Sequence, residues 1–505
     1  MDILIDFGAA VTLTEKATVF LPAFLFLFSE KQRSVYMETV NLHLKQENLK
    51  KDLKNRHIQL IAIGGVIGVA LFMGSASASK MAGPALALAY ALGGVVMYFV
   101  LRALGEVAVE HPVAASFSGY ARAFCGPLAS FITGWTYWYQ WVVLAMCEIS
   151  AVGMYMKYWA PDLAQWIPAL ICLGVVLTVN LIAVKYFGEF EFWFALIKVV
   201  TIIVMLLFGS AMILFGTGNG GAPVGISNLW THGGFMPFGW LGVAKALVMV
   251  VFAYSGVELI GITAGEAVDA EHSLKSAIDK VFWRVLIFYV GSITVILSIF
   301  PWDTLPKGIS PFVMVFEKIG IPYAASIVNI VILSSAASCL NSGMYVCGRM
   351  LYGLALRKEA PKFLGKLSKN QVPANGILVS AAVCLIGVYL NYTSPDNVFY
   401  YMSAITTTGC MWTWSLIMYI QYKWRKSLSA EQVSSLKYRM PCYPYANYGV
   451  ILFMAAVTLG MSYDHDNLVG LYVAPCWYGG LYALYKWFNI GKAQTIADPK
   501  VQTEW

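Results

Sequence analysis

The residues best placed to do chemistry stand inside long apolar runs, where a polar group needs a reason to be. Lys198 lies in Phe192-Trp193-Phe194-Ala195-Leu196-Ile197-Lys198-Val199-Val200-Thr201. A cation in the middle of such a run costs at least ~2.5 kcal/mol in a bilayer and marks an ion or substrate pathway by default. Snorkelling to the interface is the bland alternative, but roughly eight residues separate Lys198 from the nearer end of its run, which strains that reading. Glu106, Glu148 and Glu258 are the carboxylates embedded in or near other runs. Lys198, Glu258 and Glu106 are the candidates for proton coupling, with Glu258 ahead of Glu106; Glu148 reads as a paired structural group. Glu106, close to Arg102, also fits the bland role of capping a helix end.

Two interruptions accompany these charges. The run Ile61-Ala62-Ile63-Gly64-Gly65-Val66-Ile67-Gly68-Val69-Ala70-Leu71-Phe72-Met73-Gly74 places four glycines in eleven positions, and each weakens a helix by about 1 kcal/mol relative to alanine. Close packing by small residues would explain them. So would a helix broken in mid-membrane, and Val251-Phe252-Ala253-Tyr254-Ser255-Gly256-Val257-Glu258-Leu259-Ile260-Gly261 supplies a second break. Corresponding breaks in two halves of a transporter point to a midplane site, because half-helix N-termini attract carboxylates and freed carbonyls attract cations. An α-amino acid carries both charges on one carbon.

The elements that position these residues follow from composition. Of 505 residues 59% are apolar and 12% charged, against about 25% charged in soluble domains, which excludes an ordinary soluble enzyme. The net charge of +7 is dispersed in short islands, so nucleic acid is not expected as a partner. Nine cysteines lie mostly within apolar runs, and the six histidines lie outside or at their edges. No zinc spacing, disulfide framework or phosphate-binding glycine loop occurs, so no cofactor, metal or enzymatic role is expected.

Runs long enough to cross a bilayer as helices fall near 58–80, 85–109, 128–156, 166–184, 190–215, 241–264, 281–300, 323–346, 374–390, 398–421, 447–463 and 468–488. They do not alternate in polarity as barrel strands do. The expectation is an all-α polytopic membrane protein with about twelve transmembrane helices. Basic residues gather in the linkers before the first span (Lys45, Lys50, Lys51, Lys54, Arg56), after the eighth (Arg349 to Lys369) and after the tenth (Lys423 to Arg439), which predicts both termini cytoplasmic. Residues 58–490 form the expected membrane domain, flanked by tails at 37–57 and 491–505. Residues 1–36 read as a non-native or disordered extension: the apolar stretch Val19–Phe28 is too short to span and contains Pro22. Translation is expected to start at Met37.

The chain resembles the amino acid permeases of the amino acid–polyamine–organocation superfamily, specifically the bacterial proton-coupled transporters. The carrying segments are Arg56-His57-Ile58-Gln59-Leu60-Ile61-Ala62-Ile63-Gly64-Gly65, Lys80-Met81-Ala82-Gly83-Pro84, Arg102-Ala103-Leu104-Gly105-Glu106, Gly188-Glu189-Phe190-Glu191-Phe192-Trp193-Phe194 and Glu258-Leu259-Ile260-Gly261-Ile262-Thr263-Ala264-Gly265-Glu266-Ala267. The resemblance implies a 5+5 inverted-repeat core with broken helices one and six (repeats 58–215 and 241–421), plus two peripheral helices within 447–488. It implies that substrate lies along Val66, Ile67, Gly68, Val69 and Ala70 in helix one and Phe252, Ala253, Tyr254 and Ser255 in helix six. The Val69 and Ala70 N–H groups would hold the carboxylate, with Gly68 opening the turn, and the Val66, Phe252 and Ser255 carbonyls would hold the ammonium. Family members commonly carry glycine where this chain has Ala70. In proton-coupled relatives a helix-five lysine replaces a sodium ion linking helices one, five and eight, and Lys198 matches that position.

Further expected cavity liners are Trp135 and Tyr139, Ser338 and Asn341, and Thr406 to Thr408. Spans eight and ten carry no acidic residue, which disfavours a cationic substrate, and the segments around Tyr254 and Asn341 look most like threonine, serine and proline permeases. The implied function is import of a neutral amino acid by proton symport across the bacterial inner membrane with alternating access. The alternatives are an amino acid exchanger and a membrane amino acid sensor; a sensor would need an output region larger than these short tails.

Overall fold

The computed structural model describes residues 67–111, 117–182, 187–260, 270–306, 308–320, 322–369 and 371–490. Val66, both expected tails, the 1–36 extension and the basic linker before the first span lie outside the described residues. Every regular element among the described residues is helical.

A π-helical turn, Ala70–Gly74, leads into α1 (Ser75–Ala82). The chain then bends through a 3-10 turn, Gly83–Ala85. Gly83 has φ +62, and a Cβ there would overlap the Pro237 ring, so conformation and space both require glycine. Pro84 pre-sets the start of α2 (Leu86–Glu110). After α3 (Phe117–Cys125), the Gly126 N–H donates to the Ala121 and Arg122 carbonyls at φ +98, ending one helix as Pro127 opens the next, α4 (Pro127–Met156). Then come α5 (Trp166–Ile182), α6 (Phe187–Phe215) and α7 (Gly239–Ala253). Next, α8 (Ala270–Val285) passes through a second π turn, Leu286–Gly291, into α9 (Ser292–Ile299). The short α10 (Pro311–Ile319) precedes α11 (Ala324–Leu356) and α12 (Ala374–Thr393). The chain closes with α13 (Val398–Lys426), α14 (Tyr445–Ser462) and α15 (His465–Trp487).

Among the described residues six helical runs are long and apolar enough to cross a membrane: Ala70–Glu110, Glu191–Phe215, Leu274–Ile299, Ala324–Leu356, Ala374–Thr393 and Tyr445–Ser462. Trp166–Leu181 and Gly239–Ala253 are apolar but shorter. The α4, α13 and α15 helices have the length, at 30, 29 and 23 residues, but mix in tyrosine, tryptophan and hydroxyl side chains. Large apolar side chains such as Ile171, Trp193, Leu207, Leu214 and Leu452 face outward, which suits a lipid surround.

The hub is α4, which packs on α3, α5, α11, α12 and α13. Its middle is buried all round, with Tyr137, Gln140, Trp141 and Glu148 each at most 1% exposed. The π turn and α1 lie directly against α7, close enough that a Cβ on Gly74 would overlap Met249.

Candidate functional site

The first break lies where the chain enters the π turn. The Gly68 carbonyl accepts from the Leu71 N–H at 3.3 Å, and the Ile67 carbonyl accepts from Ser335 Oγ of α11 at 3.0 Å. Gly68 is shaped for a close neighbour: a Cβ there would stand 3.1 Å from Glu148 Oε1 and 3.8 Å from Cys339 Sγ. The Glu148 carboxylate stands beside the Val69 backbone N–H and the Cys339 thiol. Its Oε2 is buried without a hydrogen-bond partner. A carboxylate of the protein thus stands beside a backbone donor that the resemblance assigns to a substrate carboxylate. Ala70 follows within the π turn, 5% exposed.

The second break is the end of α7. Helical bonding stops at Ala253, and Tyr254 to Glu258 form successive turns in which the Ser255 N–H donates to Phe252 and the Leu259 N–H to Gly256. Gly256, at φ +92, makes the reversal possible. The Ala253 carbonyl is taken by Tyr289 Oη at 3.0 Å, from the second π turn, and Ser255 Oγ bonds back to Val251. The Phe252 carbonyl accepts one N–H and keeps a second lone pair. The Tyr254 ring joins Tyr90 and Tyr289 in a fully buried trio, with centroids 4.8 to 5.9 Å apart, and its hydroxyl donates to the Tyr90 carbonyl.

Lys198 is fully buried, and its Nζ donates to Ser338 Oγ at 3.2 Å, joining α6 to α11. Ser338 in turn donates to Glu191 Oε2 at 2.8 Å. Asn341 donates to Glu191 Oε1 at 3.3 Å, and Asn180 of α5 donates to Asn341 at 2.8 Å. Glu191 and Glu148 both act electrostatically on Lys198, Glu191 more strongly. The ammonium therefore lies between a carboxylate on its own helix and the one that touches the first break. Isolated, any of these buried charges would be strongly destabilising; as a hydrogen-bonded network they offset one another. The sequence reading gave Glu191 no role. A signal was available: seven residues, about two turns, separate it from Lys198, which puts both on one helix face.

Glu258 is fully buried immediately after the second break. Its Oε1 accepts from Gln140 Nε2 at 3.0 Å and its Oε2 from Trp414 Nε1 at 3.3 Å, with the Gly256 N–H also contributing. Gln140 is itself oriented by Thr413, which donates to its Oε1 at 3.1 Å. Glu106 is placed elsewhere. It pairs with Arg425 at 3.1 Å and accepts from Gln421 at 2.7 Å, tying α2 to α13 toward the end where Lys423 and Lys426 lie. Glu148 stands at the first break, Lys198 and Glu191 form a bonded pair through Ser338 beside it, Glu258 stands at the second break, and Glu106 belongs to a separate ion pair.

Other expected liners are committed to packing. Tyr139 stacks on Trp477 at 4.2 Å, and Trp135 donates to the Glu359 carbonyl. Thr406, Thr407 and Thr408 donate to carbonyls of their own helix, and Thr407 also reaches Val248 of α7.

Membrane-length helices, non-helical backbone at Gly68 and at the end of α7, and a buried polar network beside them define the class: a multi-pass membrane transport protein. The profile of the family described as "Amino acid permease" matches residues 57–496, and the chain belongs to that family. Its relatives include an uncharacterized amino acid permease, YtnA, of Bacillus subtilis (strain 168), 51% identical over 87% of this chain and 95% of the relative. A probable threonine/serine transporter, YbxG, of the same organism is 45% identical over 89% and 97%. The aromatic amino acid transport protein AroP of Escherichia coli O6:H1 is 43% identical over 85% and 94%. These relatives are transporters rather than enzymes, and the family places the chain in a bacterial membrane.

Proposed function

We propose that the chain imports a small or medium neutral amino acid, of the threonine, serine, alanine or proline type, by proton symport. The observation that carries this reading is the hydrogen-bonded pairing of Lys198, through Ser338, with Glu191, next to a second buried carboxylate, Glu148, that stands against the break at Gly68 and Val69. The substrate carboxylate binds the Val69 and Ala70 N–H groups in competition with Glu148. Its ammonium lies on carbonyls of Phe252 and Ser255, with Val66, Ile67, Gly68, Ala253 and Tyr254 completing the two stretches. A proton delivered to the Glu148–Lys198–Glu191 group removes charge from that carboxylate and frees the backbone donors. Transport and proton uptake are thereby one event. Glu258, beside the second break, is the further proton-coupling group, and Glu106 acts at the opposite end through Arg425.

This reading includes twelve spans, inverted repeats at 58–215 and 241–421, and cytoplasmic termini. It is supported by basic side chains gathered at the end where α11 and α13 finish and by a relative named as a threonine/serine transporter. The test is uptake of labelled L-threonine into proteoliposomes, with and without an inward proton gradient, against a panel of unlabelled amino acids. Gradient-driven accumulation that a protonophore collapses supports symport. Uptake that ignores the gradient and requires internal amino acid makes the chain an exchanger instead.

A further inference from the structure

At the end of the bundle opposite the basic linkers a cavity of about 680 Å³ opens among the C-terminus of α4, α10, and the N-terminal parts of α11, α13 and α15. Three carboxylates, Glu317, Asp396 and Asp466, line it together with one ammonium, Lys157. Among the described residues none of these four makes an ion pair, and Glu317 and Asp396 are exposed. The Tyr155 and Ser310 hydroxyls also line the cavity; they are 3% and 1% exposed, neighbours of one another, and each lacks a hydrogen-bond partner of good geometry. A buried hydroxyl left in that state is unfavourable unless something polar visits it.

The cavity leads toward the candidate site. Tyr155 lies seven residues beyond Glu148 on α4, about 10 Å along the helix. Val313 of the lining adjoins Phe312, whose ring meets Phe72 of the π turn at 4.8 Å. Tyr400, also in the lining, adjoins Phe399, whose ring meets Phe252 at 6.1 Å. Two aromatic pairs thus stand between the cavity and the two breaks.

We propose that this cavity is a capture site for the amino acid on its way to the aromatic layer. The Glu317, Asp396 and Asp466 carboxylates receive the ammonium, and Lys157 with the Tyr155 and Ser310 hydroxyls receives the carboxylate. The inference rests on the transport reading and adds a second, outer site to it. An outer site of this kind acts on encounter and not on the passage step, so its loss raises KM and leaves Vmax in place.

The experiment measures initial rates of labelled L-threonine uptake by the full chain in proteoliposomes, for wild type, for Glu317→Gln/Asp396→Asn/Asp466→Asn combined, and for Tyr155→Phe/Ser310→Ala. The expected result is a KM at least about fivefold higher in the combined carboxylate variant with Vmax within about twofold. In addition, wild-type KM rises with added potassium chloride, as screening weakens exposed charges, and that rise disappears in the variant. A variant KM within twofold of wild type, with the salt dependence kept, overturns the capture site while leaving the transport reading intact. A wild-type chain that neither binds nor takes up L-threonine or any competitor overturns the transport reading and the capture site together. If the combined variant misassembles, Asp396→Asn alone, at an exposed position, carries the same KM and salt readouts.

Discussion

Lys198 Nζ stands 3.2 Å from Ser338 Oγ, and the same hydroxyl donates to Glu191 at 2.8 Å, so one serine of α11 joins a buried cation to a buried anion that both belong to α6. A serine can do both because its oxygen accepts while its hydrogen donates. The arrangement makes the charge state of the pair dependent on the spacing of α6 and α11, elements that must shift if access alternates.

Removing either end of this pair has an asymmetric effect. Lys198→Ala leaves Glu191 and Glu148 without their cation; proton-driven uptake falls at least about tenfold, and breaking such a pair destabilises by about 3–5 kcal/mol. Ser338→Ala keeps both charges and reduces uptake less. Uptake rates and thermal unfolding of both variants check this order, and equal loss in the two would contradict it.

Glu258 tests the role of charge against that of shape. Glu258→Ala leaves the Gln140 and Trp414 donors without an acceptor, at about 1–3 kcal/mol for an orphaned buried group. Glu258→Gln keeps one acceptor and most of the volume. The glutamine variant should unfold nearer to wild type than the alanine variant, and its uptake should respond less to external pH. A glutamine variant with the full wild-type pH response removes Glu258 from the coupling.

Helix packing gives a paired test on a single helix. A Cβ on Gly460 of α14 would overlap the Ala244 backbone carbonyl of α7, whereas one on Gly449 meets nothing within 4 Å. Overpacking against backbone costs about 1–3 kcal/mol. Gly460→Ala should lower the unfolding temperature in detergent; Gly449→Ala should leave it unchanged or raise it.

His111, just past the end of α2, is held well below the usual histidine range, at about 4, by burial beside Trp424 and Phe124. A depressed value means the folded state resists protonation. The stability it contributes is complete above about pH 6.5 and is lost progressively as pH falls toward 4. His111→Phe keeps an aromatic ring and should flatten that acid limb of the unfolding temperature.

Much of this was legible in the chain. Apolar runs gave the membrane class, the glycines around Gly68 and the Ser255-Gly256 pair marked the breaks, and Lys198 stood out because charge inside lipid demands an explanation. The family resemblance read from those segments agrees with the family that the profile and the relatives show. What was not legible depends on helix rotation and on distant contacts. The one-dimensional pattern does not show that Glu148 stands beside the Val69 N–H, nor that the Tyr254 ring packs on Tyr90 and Tyr289. The outer cavity draws Lys157, Ser310, Asp396 and Asp466 from separate connections, and no local pattern joins residues that only tertiary packing assembles. Among the described residues six runs have the length and apolarity to cross alone, while α4 and α13 hold buried polar side chains that dilute the signal.

The most direct test of proton symport is to record lumenal pH in proteoliposomes containing a trapped pH-sensitive dye while L-threonine is added outside. The expected result is lumenal acidification that follows threonine entry in wild type and is absent in Lys198→Ala. Threonine entering wild-type vesicles with no change in lumenal pH would contradict it.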